Sequence, residues 1–194
     1  MKKRSNLLIG LLALSMWSAM AGASGGFVEG WTAYRAGDYK AAYRIWLPLA
    51  KAGSDVAQNN LGMMYLNGRG VERNVDEAAH WFRTAVLAGN AQAQTSLGVM
   101  HIQGLGVGQD YAAAFELFYV AARSGYAPAQ FNMGRMYAEG LGVSQNYEKA
   151  LKWFQQAAGQ GHQGARQSQE QLSRQGLGLP RSPYTKDSRW VKFG

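Results

Sequence analysis

The chain has 194 residues, a formal net charge of +8 and no cysteine. Lacking cysteine, it can form no disulfide, thiolate metal site or cysteine-linked haem, and it offers no lipid attachment point, so the fold must hold by packing alone. Lys2, Lys3 and Arg4 carry three of the charges, which leaves +5 beyond them.

Those cations open a segment that reads as a secretory signal peptide. Leu7 to Trp17 is an apolar run interrupted only by Gly10 and Ser15, and both Ala19-Met20-Ala21 and Ala21-Gly22-Ala23 fit an A-x-A cleavage site. The run falls short of the about 20 apolar residues a membrane-spanning helix needs. Residues 1–23 are therefore expected to be removed after Ala21 or Ala23, which sends the chain to the periplasm or out of the cell, with no membrane span left. Nucleic acid is a poor partner for such a protein.

Beyond the leader a period of 36 residues governs the sequence. Gly53, Gly89, Gly125 and Gly161 keep it, as do Gly68, Gly104, Gly140 and Gly176. So do Leu61, Leu97 and Met133; Met64, Met100 and Met136; Ala78, Ala114 and Ala150; and Phe82, Phe118 and Phe154. A period in the thirties with helical spacing inside it marks a solenoid of helix pairs, none of which can bury its apolar face alone. The expected class is all-α, a right-handed α/α superhelix.

In chain order, residues 24–54 read as a degenerate opening pair, with a first helix around Phe27 to Ala36 and a tight turn at Gly37. Ala42 and Trp46 then mark its second helix. In the first complete unit, residues 55–90, a helix from about Val56 to Asn67 carries Ala57, Leu61, Met64 and Tyr65 at the i, i+4, i+7, i+8 spacing of an amphipathic stripe. Gly68 suits the left-handed position that ends such a helix. A second helix from Val75 or Asp76 to Gly89 turns Ala78, Trp81, Phe82 and Ala85 inward. Gly62, Gly98 and Gly134 lie inside first helices, where glycine costs about 1 kcal/mol against alanine; a closely approaching preceding helix is the expected reason. The Gly-x-Gly loops come after helices rather than strands, so they lack the setting of a phosphate cradle.

Residues 91–126 and 127–162 repeat the plan. Residues 163–179 form a closing half-unit, an unpaired first helix with Gln169 and Glu170 as a polar cap, and Pro180 and Pro183 break the helical pattern beyond it. A basic tail, 180–194, holds Arg181, Lys186, Arg189, Trp190 and Lys192. It suits an anionic surface such as lipid headgroups or peptidoglycan, or else it is a solvated tail.

The phrase AQAQTSLGVMHIQGLGVGQDYAAAFELFYVAARSGYAPAQ resembles the Sel1-like repeat, a relative of the tetratricopeptide repeat. The matching positions are Ala57, Leu61, Gly62, Met64, Tyr65, Gly68, Gly70, Val71, Ala78, Trp81, Phe82, Ala85 and Gly89. The third unit matches as closely from Ala129 to Gly161, and the second departs at His101 and Leu117. The resemblance implies an exported adaptor in envelope assembly, secretion, polysaccharide export, motility or host contact. It extends to cysteine-rich members that act on β-lactams and rely on disulfide-linked helix pairs, which this chain cannot form.

If first helices line an inner curve, as in related repeats, their open faces at about 100° per residue hold Asn59, Met63 and Leu66, then Thr95, Val99 and Ile102, then Phe131, Arg135 and Ala138. The apolar members suggest a groove for a peptide segment or helix of an envelope or secreted protein, with Asn60, Asn67, Gln103, Arg135 and Glu139 as polar flanks. The competing reading buries this column against the next unit. His80, His101 and His162 fall in different units without metal-ligand spacing, and Ser96 and Ser168 lack a lysine three residues on. No catalytic, cofactor or metal residue is expected. The reading is a non-catalytic protein-binding adaptor, with a glycan- or anion-binding protein and an envelope enzyme as the alternatives.

Overall fold

The structure, a computed structural model, describes residues 26–178. The leader and the tail residues Arg181, Lys186, Arg189, Trp190 and Lys192 lie outside them. Among the described residues every regular element is an α-helix, as the periodicity requires. The first, α1, covers 26–35. It is followed by α2 (Tyr39–Lys51), α3 (Asp55–Asn67), α4 (Val75–Leu87) and α5 (Ala91–Gln103). Then come α6 (Tyr111–Arg123), α7 (Ala127–Glu139), α8 (Tyr147–Gly159) and α9 (Gln163–Arg174). The chain divides into two compact units, the first ending at Asp110 and the second beginning at Tyr111.

In the first unit, the pair α3–α4 shows how sequence makes the repeat. Ser54 caps α3 by accepting from the Ala57 N–H, and Gly68 ends it at φ +67°, in the left-handed region. Arg73 Nε then donates to the Leu66 carbonyl at 3.1 Å, and the Asn74 N–H donates to the Tyr65 carbonyl at 3.0 Å. Both satisfy carbonyls that the end of α3 leaves open. Asn74 in turn starts α4 by accepting from the N–H groups of Asp76 and Glu77. α4 stops at Leu87, short of the expected Gly89, because Ala88 and Gly89 donate to the Ala85 and Val86 carbonyls in a closing turn. The core joins Ala42, Trp46, Ala50, Ala57, Leu61 and Met64, and Phe82 of α4 is fully buried as well.

In the second unit, Ala150, Leu151, Phe154 and Ala157 of α8 pack with Ala165 and Leu172 of α9. Gln145 Nε2 donates to the Ala138 carbonyl at 2.8 Å, doing for α7 what Arg73 does for α3. On α9, Gln169 is half-buried and Glu170 exposed.

The helical glycines have a different cause from the one the sequence suggests. A Cβ on Gly62 would lie 2.6 Å from Phe82 Cε1, and one on Gly134 would lie 2.5 Å from Phe154 Cδ1. The neighbour is the aromatic ring of the following helix in the same pair, not a preceding helix. The loop glycines answer to a separate contact: a Cβ on Gly70 would come 2.5 Å from the Tyr39 carbonyl oxygen, so the loop lies backbone-to-backbone on the start of α2.

A buried polar column also keeps the period, and the apolar pattern of the sequence gives no sign of it. Gln58, Gln94 and Gln130, one period apart, are 4%, 7% and 5% exposed. Gln58 Nε2 donates to the Ala50 carbonyl at 3.0 Å in the first unit, and Gln130 Nε2 to the Ala122 carbonyl at 3.2 Å in the second. Each ties a first helix to the last turn of the helix before it. Gln160 Nε2 donates to Gln130 Oε1 at 2.7 Å and completes that side chain.

Candidate protein-binding surface

α3 and α5 are successive first helices of the first unit, and they meet side to side. Asn59 Nδ2 donates to Gln92 Oε1 at 3.3 Å, and Ser96 Oγ lies 4.0 Å from Met63 Sδ. The stripe expected to be open therefore runs along the seam between them. Asn59, Asn60 and Thr95 are 5%, 7% and 8% exposed and do not line a surface, which corrects their assignment. Asn59 is turned into the α3–α5 seam. Thr95 Oγ1 donates to the Ala91 carbonyl of its own helix at 2.8 Å. Asn60 is enclosed on the flank about 100° round α3 from Asn59.

The open part of the face lies beside the seam. Met63 is 37% exposed. Leu66, Val99 and Ile102 are half-buried, and Asn67 and Gln103 are exposed. Gln92 (exposed) and Ser96 (half-buried) join this face, although the sequence pattern does not point to Gln92 and suggests Ser96 only as a nucleophile to be excluded. Their contacts with Asn59 and Met63 depend on how two helices cross, which the period of one helix does not encode. The face is nearly free of charge. Across α3 and α5 the one charged residue is Asp55, and it accepts from Asn90 Nδ2 at 2.9 Å. By contrast, α2 carries Lys40, Arg44 and Lys51, and α4 carries Asp76, Glu77 and Arg83.

The residues expected on α7 belong to the second unit. Phe131 is half-buried, stacked on His162 with ring centroids 4.6 Å apart and lying 5.8 Å from the Phe154 ring. Arg135 pairs with Glu139 through contacts of 2.9 and 3.3 Å, so the two charges on α7 answer each other. An exposed i, i+4 pair of this kind adds little stability.

Each histidine has a local partner. His101 Nδ1 is 3.2 Å from the Gly108 carbonyl, His162 Nδ1 accepts from the Ala165 N–H at 3.1 Å as the cap of α9, and His80 meets the Trp81 ring. Among the described residues no three His, Asp or Glu side chains gather as a metal site would require. The Tyr65 hydroxyl shares a 2.9 Å hydrogen bond with the Tyr43 hydroxyl, and burial followed by that bond pushes the Tyr65 phenol up from its ordinary value.

Paired helices with a recurrent glycine-and-aromatic joint define an α-helical repeat protein. The sequence model of the Sel1 repeat matches residues 55–90, 91–126 and 127–162, and the chain belongs to that family. Sel1-repeat proteins generally mediate protein–protein interaction and are typically non-catalytic. Among solved structures, the chain is 34% identical to a protective antigen present in uropathogenic Escherichia coli strains that displays an SLR fold. That match has a TM-score of 0.76 and covers 88% of this chain and 38% of that one. It is 31% identical to a Sel1 repeat protein from Oxalobacter formigenes, at a TM-score of 0.75 over 80% of this chain and 64% of that one. The chain thus spans less than two thirds of the length of either relative. No curated protein matches it. Among the described residues no helix is long and apolar enough to cross a membrane.

Proposed function

We propose that this chain is an exported, non-catalytic adaptor that holds a protein partner on the open face of α3 and α5. The observation that carries the reading is an apolar face with almost no charge: Met63, Leu66, Val99 and Ile102 stand among amide and hydroxyl side chains. A face left to water gains nothing from such residues, whereas a bound segment buries them at about 25 cal/mol per Å². The exposed amides of Asn67, Gln92 and Gln103 offer donors and acceptors to a bound backbone. The partner segment is accordingly uncharged and partly apolar. The leader directs the work to the periplasm or outside the cell, in envelope assembly, secretion or motility.

The test is affinity capture from the envelope fraction with the exported chain and a variant carrying Met63→Gln and Val99→Asn. Loss of one reproducible partner, with an unchanged circular dichroism melt, supports the reading, since interface energy concentrates in a few central apolar contacts. Undiminished capture by the variant removes the α3–α5 face as the site. Including Phe131→Asn separately reports whether α7 takes part.

A further inference from the structure

We propose that a second copy of this chain binds on the outer face of α6, so that two α6 helices lie antiparallel across a two-fold axis. This goes beyond the partner surface on α3 and α5 and concerns the second compact unit alone. On α6, Tyr119 is 40% and Val120 52% exposed. The positions one period before and after them are Arg83 and Thr84 on α4, and Gln155 and Gln156 on α8. A solvated face gains nothing from a tyrosine and a valine where its neighbours are polar. The Tyr119 ring is also held in place: it stacks on Phe115 with ring centroids 6.1 Å apart, and the Trp153 ring meets it edge-on at 6.5 Å. A ring fixed before binding loses little freedom in the contact.

Charge identifies the occupant. Glu116 and Arg123 flank the two apolar residues symmetrically along α6, and both are exposed. At about 100° per residue they fall within about 20° of one another around the helix, with Tyr119 to one side and Val120 to the other. The ion pairs among the described residues join Arg135 to Glu139, Lys152 to Glu148 and Arg174 to Glu170, and none involves Glu116 or Arg123. The order glutamate, tyrosine, valine, arginine is its own complement when read antiparallel. Turning a second α6 about an axis between residues 119 and 120 sets Glu116 of one copy against Arg123 of the other, twice. Tyr119 then meets Tyr119, and Val120 meets Val120. A two-fold contact needs a self-complementary patch of this kind. The two ion pairs, about 10.5 Å apart at 1.5 Å per residue, fix its register.

No other second helix among the described residues has this arrangement. At the places of Glu116 and Arg123, α2 has Arg44 and Lys51, which would repel, α4 has His80 and Leu87, and α8 has Lys152 and Gly159. The contact is therefore specific to one helix of the array. One helix from each copy buries an area at the low end of specific interfaces, so the pair forms at micromolar rather than nanomolar concentration. Each pair carries two α3–α5 faces, which favours a partner that presents its segment twice.

Sedimentation equilibrium of the exported chain, complete to Gly194, tests this between about 1 and 500 μM, the range of weak contacts. A monomer–dimer equilibrium is expected. Glu116→Arg should weaken it at least about tenfold, and so should Arg123→Glu, because each sets like charges together twice. The double exchange Glu116→Arg with Arg123→Glu should restore it, with circular dichroism showing the same helix content throughout. Because the chain has no cysteine, Val120→Cys supplies a single thiol as a second probe. A short bismaleimide should join two such chains, whereas Leu87→Cys, at a position 90% exposed on α4, should stay single. A chain that remains monomeric throughout overturns the proposal, as does a dimer indifferent to both single reversals or equal crosslinking of the two thiols. Failure of the double exchange to restore the dimer overturns the antiparallel register.

Discussion

Replacing Gly134 by alanine sets two opposed effects against each other inside α7. Alanine at a helix interior gains about 1 kcal/mol over glycine. The new Cβ, however, would lie 2.5 Å from both Cδ1 and Cε1 of Phe154, whose ring is 2% exposed. Carbon atoms in good contact sit about 3.5–4.0 Å apart, so the ring must withdraw by roughly 1 Å into a core with no free side. Overpacking of that kind costs about 1–3 kcal/mol. The balance is a net loss near 1 kcal/mol, or a fall of about 3 °C in Tm for a chain this size. Urea unfolding followed by far-ultraviolet circular dichroism measures it. The decisive comparison uses Phe154→Leu as a second background. There the ring is gone, and Gly134→Ala should become neutral or stabilising. A raised midpoint for Gly134→Ala with Phe154 intact would refute this explanation of the glycine column.

Other expectations rest on single contacts. Gln130→Leu removes one of the two hydrogen bonds to the Ala122 carbonyl, which keeps the Gly125 N–H, and leaves the exposed Gln160 amide to water, so it should destabilise by about 0.5–1.5 kcal/mol in the same melt, more than Gln160→Ala. Gly70→Ala meets both a left-handed φ and the Tyr39 carbonyl, whereas Gly37→Ala meets only the φ. Denaturant midpoints should therefore fall further for Gly70→Ala. The Tyr65 phenol is held up by burial and by Tyr43, so its contribution to stability is complete below the unfolded value of about 10 and is lost as pH rises beyond it. Melts between pH 9 and 12 should show a steeper alkaline loss for the unaltered chain than for Tyr65→Phe.

The repeat is legible in the sequence because each column answers to one physical need. Glycine at 68, 104 and 140 takes a left-handed φ, and alanine at 78, 114 and 150 lets helices approach. The period does not disclose which neighbour fills a gap. Gly62 signals a close approach without saying from where, and the ring packed on it comes from Phe82 of its own pair. The buried glutamines keep the period just as faithfully, but an amide side chain carries no mark that separates a core position from a solvated one. The candidate surface is legible only in part. Met63, Leu66, Val99 and Ile102 keep some exposure, yet Asn59 and Thr95 fall away because helix periodicity gives a direction around one axis and not the distance to the next helix.

The most direct measurement of partner binding at the α3–α5 face is site-specific photocrosslinking in living cells. A photoreactive phenylalanine at Met63 probes that face. The same group at Leu87, 90% exposed on α4, controls for any apolar surface residue. One discrete protein adduct is expected from position 63 and none from position 87, unchanged in high salt because the face bears almost no charge. Adducts from position 87 alone, or a position 63 adduct that disappears as salt rises, would contradict binding at this face.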